Sequence, residues 1–518
     1  MNRRAVLRLG AAAAGVGVVG VGWPSAAALL APGQPGRLLR SQTALPEPYR
    51  VALPVPSRLA PVRTDSTTDH YEITQRVAEL RILPGLPTPA WTYGGTFPGP
   101  TIVSRSGRRT VVRHRNDLPQ PVVVHLHGGH TPAGSDGYPV DLILPTSGAM
   151  PADHAMPADH AMPGMPGDVA AGERAYAYPM NQRAATLWYH DHRMGHTGLN
   201  VWRGLAGFHL VADDESDALP LPRGHRDIPL MIVDRSFAAD GSFRYPVTAT
   251  GGVADAYMNG VLGDVILVNG APWPVAQTDP ARYRLRLLNA SNARRYRLEL
   301  DPQPAGGSAL VQIGSDGGLL ARPVGHDALE LAPGERFDVV VDFSRYRPGS
   351  KVRLVNRLGS GSTAEVMRFD VTGRDRGDDS AIPDRLGAGV APLAPQRAVA
   401  TRTFVFRQRR GGAWAINDLA YRPGRALATP RLGTVEIWRF VTDFHHPVHL
   451  HLDHFQVLSR NGGAPGPYDA GWKDTVDVRP SEAVEILTRF TDYQGAFLLH
   501  CHNLEHEDMA MMADFITV

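Results

Sequence analysis

The chain has one cysteine in 518 residues. No disulfide can form within it, and a lone thiol in an exported protein needs another purpose, which metal ligation would supply. A charge excess of either sign is also missing. Lys and Arg number 53 and Asp and Glu 51, leaving a net charge of +2, so there is no electrostatic case for nucleic acid. After the N-terminus no apolar run is long enough to span a membrane. Charged residues are a moderate 20%, whereas Gly (54) and Pro (44) are abundant. That balance suits a turn-rich β protein better than a helical bundle. The length exceeds one compact core and suggests roughly three or four domains.

Residues 1–28 read as a twin-arginine signal peptide. Arg3 and Arg4 precede an Ala/Gly/Val run, and Ser25, Ala26, Ala27 and Ala28 offer small residues for cleavage. An uncleaved anchor is the alternative, although the Gly/Ala-rich run is weakly apolar for a stable span. The expectation is export of a folded protein, secreted or held in the cell envelope or periplasm, with no membrane span after cleavage.

A Pro-rich lead-in, Arg37 to Thr64, precedes closely spaced strand-like segments. PVVVHLHGGH carries His125 and His127 two residues apart, so on a strand they share a face. Gly128 and Gly129 let the backbone turn away beside them. Residues 147–168 break the pattern. There Met150, Met156, Met162, Met165, His154 and His160 recur in ADHAMP repeats without a core-forming period. Either this is a low-complexity insertion without function, or it is a thioether-rich arm that collects Cu(I). TLWYHDH then brings a second same-face pair, His190 and His192; His196 and His209 are read as structural.

The expected domains are 29–214, including the insertion, then 225–373, a linker over 374–397, and 398–518. The middle unit has strands but no histidine pair, and its isolated His225 and His326 are read as structural. The last unit carries HHPVHLHLDHF, in which His449 and His451 form a third pair and His446 precedes them. Its final stretch is LLHCHNLEHEDMAMM. On a strand His500 and His502 face one way and Cys501 the other. Cys501, His506 and Met511 supply a thiolate, an imidazole and a weak axial thioether, as in a blue-copper site. The first and last units thus echo each other, each with an early and a late HxH pair. Two facing β-sandwiches sharing a metal site would show that pattern.

Taken together, His125-x-His127-Gly, His190-x-His192, His446-Pro-x-His449-x-His451 and His500-Cys501-His502-x3-His506-x4-Met511 resemble the multicopper oxidases over nearly the whole mature chain. HLHGG, SDGYP, LWYHDH, ILVNG, IGSDGGLL, GWKDT and LEHED are most similar to the bacterial spore-coat laccase, bilirubin oxidase and phenoxazinone synthase branch. The resemblance implies an all-β protein of three cupredoxin-like Greek-key β-sandwich domains and four coppers. The type 1 copper would be held by His446, Cys501, His506 and Met511, with His445 the adjacent competitor to His446. The type 2 copper would fall to His125 and His449. The type 3 pair would fall to His127, His190, His192, His451, His500 and His502. Asp136 and Glu507 resemble the acidic residues that supply protons.

The implied activity is one-electron oxidation of phenols or aromatic amines with reduction of O2 to water. The Met/His-rich insertion departs from the spore-coat laccase pattern and is reminiscent of copper-efflux oxidases, so Cu(I) is the alternative reductant. A copper-free structural relative would have lost ligand positions, all of which are filled here. A simple electron carrier would not need the eight further histidines.

Overall fold

The computed structural model describes residues 33–148, 167–248, 252–374, 377–387 and 391–518. The expected signal peptide and residues 149–166 of the insertion lie outside the described residues. Among those described, no helix is long and apolar enough to cross a membrane.

The chain is mostly β-strand, organised as three sandwiches in sequence order. In the first, Gly99–Arg105, Ala206–Ala212, Ala185–Asp191 and Val124–His127 form one sheet. A second sheet is built on Thr68–Leu83, Arg109–Asn116 and Glu173–Tyr178. Tyr71, Val112 and Tyr176 of one sheet and Leu126, Leu187 and Tyr189 of the other share one buried core. The middle sandwich has the broadest sheet. Its strand Asp227–Phe237 is buried almost throughout, which explains its continuous apolar run in place of alternation. The third sandwich packs Phe404, Trp438 and Ile486 of one sheet against Val448, Leu499 and Phe515 of the other. Burying side chains of this size stabilises by roughly 1.5–3 kcal/mol each. The Trp438 indole N–H is satisfied within that core by Glu436 Oε2 at 2.9 Å.

The segment expected as a linker packs against the middle sandwich. Asp378 accepts hydrogen bonds from the Arg282 backbone N–H (2.8 Å), and Leu386 is fully buried.

Strand register then places the histidines. Val124–His127 runs antiparallel to Ala185–Asp191 with His125 opposite His190. His446–Leu450 runs antiparallel to Gly495–Cys501 with His449 opposite His500 and Val448 opposite Cys501. Directly opposed residues share a face. Each register therefore turns one cross-strand imidazole pair to one side and, in the third sandwich, leaves Cys501 on the other, within the core. His192, His451 and His502 lie one residue past their strand ends, where the chain can bend around a centre.

Candidate metal centres

Eight buried imidazoles from the first and third sandwiches meet at one place. His125 Nε2 lies 3.4 Å from His449 Nε2. His192 Nε2 and His451 Nε2 lie 3.3 and 3.1 Å from His500 Nε2. His127 stacks on His449 with ring centroids 3.7 Å apart, and His190 and His502 close the group at 5.8 and 4.9 Å from His127.

Outward hydrogen bonds set the tautomers. The Nδ1–H groups of His125, His190, His449 and His500 face the carbonyls of Asp136 (2.5 Å), Asp191 (2.8 Å), Asp474 (2.9 Å) and Cys501 (3.2 Å). His451 Nδ1 faces Asp136 Oδ2 at 2.7 Å. Each of these rings keeps its Nε2 lone pair for the interior. His127 is reversed: its Nε2 lies 3.1 Å from both Asp474 Oδ1 and Thr475 Oγ1, leaving Nδ1 inward. Among the described residues, His127 Nδ1, His190 Nε2 and both nitrogens of His502 have no hydrogen-bond partner.

Burial is the main cause that favours the neutral form of seven of these rings. It pushes His192 down to about 4, and His125, His127, His190, His449, His451 and His502 well below the ordinary value. Mutual repulsion adds to burial. Converging, unpartnered lone pairs in a dry interior are costly unless a cation accepts them. The donor set fits copper, which imidazole suits.

The second centre is smaller. His446 Nδ1 and His506 Nδ1 approach Cys501 Sγ at 3.3 and 3.6 Å and each other at 3.1 Å. The backbone N–H of Asn503 points at the sulfur from 3.4 Å. Met511 is buried in the same core; its N–H donates to the His506 carbonyl (3.0 Å) and its carbonyl accepts from the Cys501 N–H (3.1 Å). Trp414 lies over the His506 ring at 4.0 Å. Two imidazoles, a thiol and a nearby thioether fit a blue-copper ion. Burial pushes the thiol well up, so a metal would have to displace its proton. His445 is only half-buried and stands outside this group, whereas His446 belongs to it.

Two carboxyls attend the eight-histidine centre. Besides its contact with His451, Asp136 places Oδ1 3.7 Å from His125 Nδ1. Burial, reinforced by Asp141, holds its carboxyl well above the usual range. Glu507 reaches His500 Nδ1 (3.2 Å) and His192 Nδ1 (3.7 Å). Burial would raise its carboxyl, but His192 and His500 outweigh burial and hold it below the usual range. The short helix Leu504–Asp508 carries both His506 and Glu507. Neighbours on a helix point about 100° apart, so one turn serves both centres.

Some neighbours were not legible as site residues. Asp474 lies in GWKDT and Asp316 in IGSDGGLL, but nothing in the sequence ties either to a histidine. Trp188, stacked on His190 at 4.2 Å, reads simply as a core residue of its strand. His209 is structural as expected, bonded to Ser104 Oγ at 2.7 Å; His326 likewise pairs with Gln312 at 3.0 Å.

The fold and the two centres define a copper-dependent oxidoreductase. Comparison with known proteins makes this specific. Family models described as "Multicopper oxidase" match residues 76–149 with 157–216, and 392–518. A laccase of Bacillus stratosphericus is 37% identical over 516 residues, covering 89% of this chain and 97% of the relative. A bilirubin oxidase of Albifimbria verrucaria is 34% identical, covering 90% of this chain and 81% of the relative. The crystal structure of a multi-copper oxidase from Pediococcus acidilactici superposes with a TM-score of 0.79 at 32% identity, covering 93% of each chain. The chain belongs to the multicopper oxidase family: three cupredoxin-like domains, copper as cofactor and oxygen as electron acceptor, with a laccase-like function.

Proposed function

We propose that the chain is an exported laccase that oxidises phenols or aromatic amines one electron at a time and reduces O2 to water. Its four coppers would be one type 1 ion on His446, Cys501, His506 and Met511, one type 2 ion on His125 and His449, and a type 3 pair. One type 3 ion would take His127, His190 and His502, and the other His192, His451 and His500. The observation that carries this reading is Cys501 standing between His500 and His502, one peptide unit from each.

Bound copper supplies one-electron chemistry at the Cys501 centre and the four-electron reduction of O2 at the histidine centre. The protein does the rest. Cys501 joins the centres covalently through its own backbone. The carbonyls of Asp136, Asp191 and Asp474 hold His125, His190 and His449 with Nε2 inward. Asp136, beside His451 and His125, would hold a proton for the histidine centre, and Glu507, beside His500 and His192, would accept one. Arg3 and Arg4 would direct export of the folded protein by the twin-arginine route, to the envelope, the periplasm or the medium.

A second reading rests on the Met/His-rich insertion: a Cu(I) oxidase in which Met150, Met156, Met162, Met165, His154 and His160 gather the metal. A related multi-copper oxidase from Ochrobactrum sp., 28% identical, is described as laccase-like with activity towards lignin model compounds, which favours the aromatic reading. Oxygen uptake by the copper-loaded protein separates the two, comparing Cu(I) with a dimethoxyphenol, with and without residues 148–167. Efficient phenol oxidation by both forms supports the laccase. A strong Cu(I) preference that disappears on deletion supports the metal oxidase.

A further inference from the structure

The middle domain has no histidine pair, yet it reaches the histidine centre. Its turn before the strand Arg336–Asp342 lies directly on the ligand rings. A Cβ on Gly334 would come within 3.1 Å of both His127 and His502, and at φ +87° only glycine is comfortable there. Two residues later Arg336 is fully buried, with every donor used. Its Nε donates to the Thr186 carbonyl of the first domain at 2.9 Å. Nη1 donates to the Gly334 carbonyl (3.0 Å) and Asp474 Oδ1 (2.7 Å), and Nη2 to the Asp316 carbonyl (3.2 Å) and Asp474 Oδ2. The same Asp474 places Oδ1 3.1 Å from His127 Nε2, while its carbonyl faces His449 Nδ1 at 2.9 Å.

The surroundings leave Asp474 one position. Asp316 Oδ1 accepts from the Arg336 N–H at 2.7 Å, and its Oδ2 lies 3.3 Å from the backbone N–H groups of Asp474 and Thr475. Lys473 Nζ is buried between Asp316 (3.1 Å) and Glu335 (3.2 Å). A planar guanidinium gripping a carboxylate at two points fixes direction as well as charge, which lysine cannot do. A carboxylate so held fixes which nitrogen of His127 faces inward, the reverse of His125, His190, His449, His451 and His500, whose Nδ1 faces outward.

We propose that Arg336 is a positioning residue for the histidine centre: through Asp474 it sets the His127 ring and the His449 carbonyl contact, and so the hold on copper at His125, His449 and His127. This rests on the ligand assignment above. Outer partners of this kind change metal affinity by about 10- to 100-fold.

The test uses full-length copper-loaded protein with Arg336→Lys and Arg336→Gln. The readouts are copper per chain during titration with a chelator, the type 2 electron paramagnetic resonance signal, the blue absorption band and near-UV circular dichroism. Arg336→Lys keeps the buried charge and is the variant expected to stay folded. The expected result is an intact blue band and native dichroism, an altered type 2 signal, and copper loss from the histidine centre at about 10- to 100-fold lower chelator. Arg336→Gln should lose more. A folded Arg336→Lys with wild-type type 2 signal and chelator resistance overturns the proposal. So does loss of native dichroism and the blue band in both variants, which would make Arg336 a general structural support. If the wild-type protein itself lacked a type 2 signal, the ligand assignment would fail rather than the role of Arg336.

Discussion

Asp136 and Glu507 illustrate how environment divides labour between like residues. Both carboxyls are buried against imidazoles of the same centre. Burial, with another acid, Asp141, nearby, pushes the Asp136 carboxyl well above the usual range, although it receives one histidine N–H. Glu507 faces His192 and His500, whose attraction overrides burial. Two carboxyls pushed in opposite directions form a natural proton donor and acceptor. Asp136→Asn and Glu507→Gln should each slow reoxidation of the reduced enzyme by O2, by about 10²- to 10⁴-fold if proton transfer becomes limiting. Both should leave the blue band unchanged. Stopped-flow reoxidation followed at that band is the check, and wild-type kinetics in both variants would remove these residues from proton supply. The family resemblance pointed to both carboxyls, Asp136 in SDGYP after the first histidine pair and Glu507 beside His506. It could not indicate that the two are shifted in opposite directions, which for Glu507 depends on His192, far along the chain.

At the scale of elements, alternation along strands carried most of the reading. HxH must put two imidazoles on one face, and Cys501 between two histidines must face away from them. The registers His125 opposite His190 and His449 opposite His500 then follow from pairing within each sandwich. Contacts across sandwiches had no such periodic signal. Arg336 opens an ordinary core strand, and only the folded chain brings it to Asp474.

His130 is another such contact, tying the loop after Val124–His127 to the third domain. Its Nδ1 lies 3.1 Å from Asp453 and its Nε2 2.9 Å from Asp492. Burial would lower its pKa, but Asp453 above all, with Asp492 opposite, outweighs burial and raises it to about 9. A raised value means that the charged form is favoured in the folded state. The stabilisation is full below the ordinary value of about 6.5 and is lost as pH rises through about 9. It is on the order of 3 kcal/mol at most, since Asp492 is half exposed. Denaturant melts of wild type and His130→Gln should therefore diverge most below pH 6.5 and converge above pH 9. A constant gap across that range would show that the ion pairs contribute nothing.

For the whole molecule, three sandwiches share one task unequally. The first and third supply the histidines, the third alone supplies the cysteine centre, and the middle one presses Gly334 and Arg336 against the shared histidine centre. The two halves of the centre were legible because metal ligands recur in short motifs, and the three sandwiches followed only from the family resemblance that those motifs carry. The middle domain's part was not, because one buried arginine has no motif.

The central claim is that one chain holds four coppers in two centres. Copper per chain, measured together with quantitative electron paramagnetic resonance on the fully loaded protein, tests it most directly. The expected result is four coppers, of which two give signals, one type 1 and one type 2, while the coupled type 3 pair is silent. Cys501→Ser should lower this to three coppers and abolish the blue band while retaining the type 2 signal. One copper per chain, or four that all give signals, would contradict the assignment.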